Sequence, residues 1–213
     1  MPTISTLSCR ESLRRLGVDR RRLLACYLAR GIVVRSVAFS PSFLCVALYR
    51  LSRHLYARGW GLAARAVWQI NMLLTGADIS PISDLGEGLV VVHPVAVTVV
   101  GSAGRNLLVE GHGGMGGGLD LRDIGAGPGL PLLGHDVQLA RGALVLGPVR
   151  VGHGVRIASG CTVVRDLPDG CEPTANCAQV IGVTWPVTAS VGHDASLPTQ
   201  ACPSGFSEAA RRP

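Results

Sequence analysis

The chain has 213 residues, 47% of them hydrophobic and only 4% aromatic, enough for one aliphatic core and a smaller appendage. No run of about eighteen apolar residues crosses it and residues 1–8 lack the apolar region of a signal peptide, so neither a span nor a leader is expected. All twenty basic residues are arginine; twelve precede residue 76, where only Glu11 and Asp19 oppose them (net +10), and the remaining eight face twelve acids (net −4).

A basic α-helical domain is expected over residues 1–75. Ser12 to Ala29 is rich in Leu and Arg, with Leu13, Leu16, Leu23 and Leu24 at roughly helical intervals, and Pro41 marks a break. Ser42 to Leu74 reads as a helical hairpin. Leu44, Leu48, Leu51 and Leu55 form its first apolar stripe, with Arg50, Arg53 and Arg58 on other, solvated faces. Gly59 and Gly61 punctuate it; Leu62, Ala66, Ile70 and Leu73 continue it; Gly76 is the expected C-cap. The arginines leave two readings open: ordinary packing helices, or a surface for a membrane, an acidic carrier protein or another trimer.

From residue 76 the periodicity changes. Ile79, Leu85, Val91, Val97, Ala103, Val109 and Met115 fall six residues apart, and after an interruption Leu133, Leu139, Val145, Val151, Ile157 and Val163 resume the same frame. Thirteen consecutive apolar stops have a chance probability on the order of one in a thousand, and six is the period of neither a helix nor a plain strand. It is the period of a hexapeptide β-helix, in which each hexad is a short strand and a turn. Small residues such as Gly86, Gly104, Gly142 and Gly160 follow at fixed offsets, as tight corners require. The fold class expected is therefore mostly β, a parallel β-helix over residues 76–184 behind a small α-helical N-terminal domain. Gly127, Pro128 and Pro131 interrupt the frame, so residues 116–132 are expected as an extruded loop. Leu167-Pro168-Asp169-Gly170 ends the repeat, residues 178–183 read as a last strand, and residues 185–213 as a disordered tail. Seven scattered cysteines, an odd number without zinc-ligand spacing, suggest a reduced, cytoplasmic protein without a metal.

Asp78 and His93 are the chemically pointed pair. Fifteen residues are slightly less than one coil, so the two can meet near one edge, where a carboxylate would orient the imidazole and raise its basicity. The segment Thr75-Gly76-Ala77-Asp78-Ile79-Ser80-Pro81, then Leu85-Gly86-Glu87-Gly88-Leu89, then His93, resembles the opening of the serine O-acetyltransferase branch of the hexapeptide-repeat acyltransferases. The resemblance covers about residues 40–183. It implies a left-handed β-helix, a homotrimer or dimer of trimers with sites between subunits, acetyl-CoA or another acyl-CoA as donor, and Asp78 and His93 as the catalytic dyad. It also implies donor binding by the segment of Gly116 and Gly117, by the turns of Ala140-Arg141 and Ser159, and by Arg156, whose guanidinium suits a phosphate.

Three positions depart from the family pattern: Val92 stands where the family has Asp, Ser80 where it has His, and Gly129-Leu130-Pro131 where it has an Arg/Lys-His-Pro motif for the serine head group. With His112, which sits among glycines, Val92 and Ser80 are the candidate substrate-binding residues. The expected function is a CoA-thioester-dependent O- or N-acyltransferase acting on a small acceptor other than serine, because an amino-acid carboxylate would lack its cationic partner. The alternatives are transfer involving a carrier-protein-bound thioester, a true serine O-acetyltransferase, and a non-catalytic scaffold. No nucleic-acid partner is expected, and a membrane surface is less favoured than a protein one.

Overall fold

A computed structural model describes residues 8–31 and 37–174. The strand expected at 178–183 and the tail from 185 lie outside the described residues.

Three helices come first: α1 (Cys9–Ala29), α2 (Pro41–Ala57) and α3 (Gly61–Thr75). Ser8 caps α1 by accepting from the Glu11 N–H, and Ser40 caps α2 from outside Pro41, which fills the first helical position. Gly76 closes α3 in the left-handed conformation at φ 73°.

Thirteen strands of two or three residues follow, numbered along the chain, and every pairing among them is parallel. Face A stacks β1 (Asp78–Ile79), β4 (Thr98–Val99), β7 (Gly114–Gly116), β10 (Leu144–Leu146) and β13 (Thr162–Val163). Face B stacks β2 (Asp84–Leu85), β5 (Ser102–Ala103), β8 (Leu132–Leu133) and β11 (Arg150–Val151). Face C stacks β3 (Val90–Val92), β6 (Leu108–Glu110), β9 (Gln138–Leu139) and β12 (Arg156–Ile157). The chain thus winds A, B, C and repeats, a three-faced β-helix. All thirteen hexad residues are buried in its interior.

Apart from the loop between β7 and β8, the winding departs from a strict hexad at one place. Five residues, 93–97, join β3 to β4, whereas three, 111–113, join β6 to β7. The next corner recovers the difference: two residues separate β4 from β5, against four between β1 and β2. Val99, not Val97, therefore stands in register with Ile79 and Met115. Val97 is buried in the corner instead, so an unbroken apolar frame conceals a two-residue slip.

The helices close the first coil, whose lower edge has no strand beneath it. Asp19 of α1 accepts from the Gly88 and Leu89 N–H groups at 2.7 and 2.9 Å. Arg50 of α2 pairs with Asp19 at 2.8 Å and donates to the Leu85 and Gly86 carbonyls at 2.7 and 2.6 Å. The Tyr49 hydroxyl donates to the Ser83 carbonyl and accepts from the Leu85 N–H. Arg22 donates to the Gly88 and Leu107 carbonyls. Orphaned β-helix backbone is costly to bury unpaired, and these side chains satisfy it. Burial opposes the Arg50 charge, but Asp19, with Tyr49 and Asp84, offsets it and holds the guanidinium above its usual value.

This corrects the reading of α2. Its buried face is Ser42, Cys45, Val46, Tyr49, Arg50, Ser52 and Arg53, while Leu44 and Leu51 are exposed. Two arginines expected in solvent point inward, because coil carbonyls there supply acceptors that an apolar side chain could not use.

Candidate active site

The corner between faces C and A gathers most of the residues singled out in the sequence. Four stacked turns build it: 93–97, 111–113, 140–143 and 158–161. Backbone hydrogen bonds tie successive turns together: Gly142 N–H to the Gly111 carbonyl at 3.2 Å, and Gly160 N–H to the Arg141 carbonyl at 2.9 Å.

His93 opens the lengthened turn and is exposed. Its φ of 57° lies in the left-handed region, at a cost of roughly 1–2 kcal/mol for a residue with a β-carbon. The coil above stacks closely on it: a β-carbon on Gly111 would come within 2.9 Å of the His93 carbonyl oxygen, so glycine is needed there. Farther along the same turn Ala96 donates to the Gly76 carbonyl at 3.0 Å, and the Asp78 N–H donates to the Val97 carbonyl at 2.8 Å. The turn beginning at His93 is thereby sewn to the segment entering β1. Asp78 opens the first coil and His93 closes it, around one corner. No hydrogen bond or ion pair joins their side chains among the described residues. The half-buried Asp78 carboxylate instead accepts from the Trp68 indole N–H of α3 at 2.9 Å.

The three substrate candidates separate. His112 is exposed on the turn above His93, with φ 61° and its N–H on the Val95 carbonyl at 3.2 Å. Ser80 is buried, two residues past Asp78, and lines a cleft with Trp68, Tyr56, Leu62, Arg65 and Ile82. Val92 does not face the corner: it is 3% exposed, packed with Leu23, Val37 and Val90. A strand residue beside an inward-pointing Val91 must point outward from face C, and there the helical layer covers it.

Most donor candidates lie higher on the same corner, whereas Gly116 and Gly117 stand at the far end of face A, where β7 enters the loop. Ala140 and Arg156 line a groove of 300 Å³ with Arg30, Glu110, Gln138 and Glu172, while Arg141 and Ser159 stand exposed at the turn tips. Arg156 lies 3.6 Å from Glu172, both side chains largely exposed, a pairing weak enough for a bound anion to displace. Gly113 and Gly114 are glycines for an internal reason: a β-carbon would meet the Glu110 or Thr98 carbonyl oxygen at 2.9 or 2.0 Å. Gly116 has no such reason, since nothing lies within 4 Å of a β-carbon built there. Its flank is therefore open, bare backbone. Gly117 is exposed at the start of the loop.

That loop, residues 117–131, is extruded between β7 and β8. Asp123 organises its tip by accepting from the Gly125 and Gly127 N–H groups, and Arg150 donates to the Ile124 carbonyl at 2.8 Å. Leu119 and Leu121 are fully or largely exposed. His135 and His153 stand on the corner between faces B and C, where their rings stack 4.8 Å apart. Among the described residues no group of three His, Cys, Asp or Glu side chains is placed to hold a metal ion, and no helix is long and apolar enough to cross a membrane.

Trp68 was not among the residues the sequence singled out. An aromatic ten residues before the acid carries no motif, and only the reversal at Gly76 brings it over β1.

Fold and corner together define a β-helical acyltransferase-like protein, and comparison with known proteins specifies the family. No family model matches the chain. The serine acetyltransferase of Helicobacter pylori strain 26695 is 31% identical over 143 residues, covering 66% of this chain and 81% of that one. That of Mycobacterium tuberculosis is 33% identical over 148 residues (68% and 63%), and that of Synechococcus elongatus 31% over 133 (62% and 53%). The chain therefore belongs to the serine acetyltransferase family, although it spans only 53% and 63% of the length of the Synechococcus and Mycobacterium relatives. Among solved structures, Neisseria gonorrhoeae serine acetyltransferase superposes with a TM-score of 0.68 at 22% identity, covering 76% of this chain and 62% of that one. A serine acetyltransferase in complex with CoA gives 0.65 at 16% identity, covering 78% and 67%. The fold is thus the left-handed parallel β-helix with an N-terminal helical region.

Proposed function

We propose that the chain is a CoA-thioester-dependent O-acyltransferase whose reacting centre is the corner at His93. The observation that carries this is the joint placement of His93 and Asp78 around one corner, beneath the stacked turns that carry His112, Ala140-Arg141 and Ser159. The His93 imidazole takes the proton of the acceptor hydroxyl, and the oxygen attacks the thioester carbonyl. As the carbon–sulfur bond breaks, the departing thiolate takes that proton back from His93. Transfer is direct, so no enzyme nucleophile is required. Acetyl-CoA is the donor with which to begin. Gly116, Gly117, Ala140, Arg141, Ser159 and Arg156 are proposed to hold it, the last at a phosphate.

Serine is the acceptor named in the relatives, and it is the first acceptor to test. A second reading is favoured by Val92 and the loop: the residue before His93 is apolar and turned into the helical layer, and Gly129-Leu130-Pro131 offers no charge. This second acceptor is a small hydroxyl or amine compound without the amino-acid carboxylate. Assaying thiol release from acetyl-CoA with L-serine and with serinol, its carboxylate-free counterpart, separates the two. Faster turnover of L-serine supports the first reading, and faster turnover of serinol the second.

The assembly proposed is a homotrimer packed through face A. Outward residues of its second to fifth tiers are Thr98, Val100, Gly114, Gly116, Leu144, Leu146, Thr162 and Val164, without a charge among them. A carrier protein is a weaker candidate than the arginine count suggested, because Arg14, Arg15, Arg22, Arg30, Arg50 and Arg53 all reach groups of the β-helix.

A further inference from the structure

The Asp78 carboxylate is the only acid at the start of face A, and the helical layer touches it through one hydrogen bond. Trp68 Nε1–H donates to Oδ1 at 2.9 Å, and Oδ2 has no hydrogen-bond partner among the described residues. The donor is firmly seated. Asn71, one turn farther along α3, is buried and donates to the Cys45 carbonyl of α2 at 3.0 Å. Thr75 donates to the Asn71 carbonyl and side-chain oxygens at 2.8 and 2.9 Å, and Gly76 then reverses the chain into β1. These bonds tie the C-terminal half of α3 to α2 and to the reversal that enters β1, and the Trp68 N–H meets Asp78 across that reversal. The partner the indole N–H finds is the carboxylate of the proposed dyad, although Trp68 also lines the cleft of Ser80, Pro81 and Ile82.

We propose that Trp68 is the positioning residue of the Asp78–His93 pair. Its N–H holds one carboxylate oxygen and thereby presents the other toward the imidazole at the same corner. The inference rests on the acyl-transfer reading above, and it adds a residue of the helical layer to the machinery of the β-helix. Asp78 without Trp68 keeps its charge but loses its fixed rotamer. The consequence falls on the rate of proton transfer and not on donor binding, because the proposed donor residues lie on higher coils.

The test is a double-mutant cycle with Trp68→Phe, Asp78→Asn and the pair combined. Thiol release from acetyl-CoA is followed with the faster of L-serine and serinol, and thermal midpoints are recorded alongside. Trp68→Phe should lower kcat about tenfold, the worth of one hydrogen bond to a charged group, and leave the KM for acetyl-CoA unchanged. In the Asp78→Asn background the same substitution should cost nothing further, since residues acting as a unit are not additive. A general loss of folding would add in both backgrounds. Independently of any Trp68 variant, the Trp68 indole N–H resonance of the wild-type chain should move on Asp78→Asn. Unchanged kcat in Trp68→Phe, a further tenfold loss on top of Asp78→Asn, or an unmoved resonance overturns the positioning role while leaving acyl transfer standing. A wild-type chain that releases no thiol with either acceptor overturns the acyl-transfer reading and this inference with it.

Discussion

At the residue scale, His93 and Cys45 show how surroundings set reactivity. His93 is exposed, in the left-handed region on a turn closely stacked under Gly111. His93→Ala should lower kcat by about 10²–10⁴, the range of general-base catalysis, with the KM for acetyl-CoA unchanged; steady-state kinetics against the donor checks both. Cys45 is the opposite case. It is fully buried in the helical layer, and burial pushes its thiol up to about 12. At pH 8 almost none of it is thiolate, the reactive form. Intact-mass analysis after iodoacetamide treatment should find the exposed Cys9 modified and Cys45 untouched until the chain is unfolded.

At the element scale, the arginine-rich helices act as the end cap of a β-helix. Asp19 and Arg50 are 1% and 4% exposed, and between them they satisfy two N–H groups and two carbonyls of the first coil. Asp19→Ala leaves Arg50 a buried, unpaired cation and should cost about 3–5 kcal/mol in urea unfolding. Arg14→Ala, which removes the partly solvated pairings of Arg14 to Glu11 and to Glu87 of the β-helix, should cost far less than Asp19→Ala. Much of this layer was hidden from the sequence. The helices and the C-cap of α3 were legible because Pro41 and Gly76 punctuate the sequence. The buried face of α2 was not, because backbone carbonyls of Leu85 and Gly86 decide it, and backbone leaves no pattern in side chains. The hexad was legible because each inward residue is apolar. The slip at 93–97 was not, because Val97 and Val99 are equally apolar and only register distinguishes them. Likewise spacing and resemblance led to the one corner that Asp78 and His93 share, whereas Trp68 depends on how α3 turns back over β1.

At the scale of the whole molecule, face A is the surface that an isolated chain would leave unused. Leu146 and Val164 are 36% and 52% exposed on it, beside the open flank of Gly116. Packing three such faces together would remove this apolar surface from water and place each His93 corner against a neighbouring chain. Sedimentation equilibrium should give a trimer or a multiple of three. Leu146→Asp with Val164→Asp should dissociate it and reduce turnover in parallel, because a site between subunits is lost with the interface. A stable wild-type monomer at micromolar concentration would contradict the assembly.

The most direct test of the central claim is the initial rate of thiol release from acetyl-CoA, with L-serine and serinol as acceptors, in the wild-type chain and in His93→Ala. Acceptor-dependent release by the wild type, falling by about 10²–10⁴ in the variant, is the predicted result. Near-native release by His93→Ala would contradict the placement of the reacting centre at this corner.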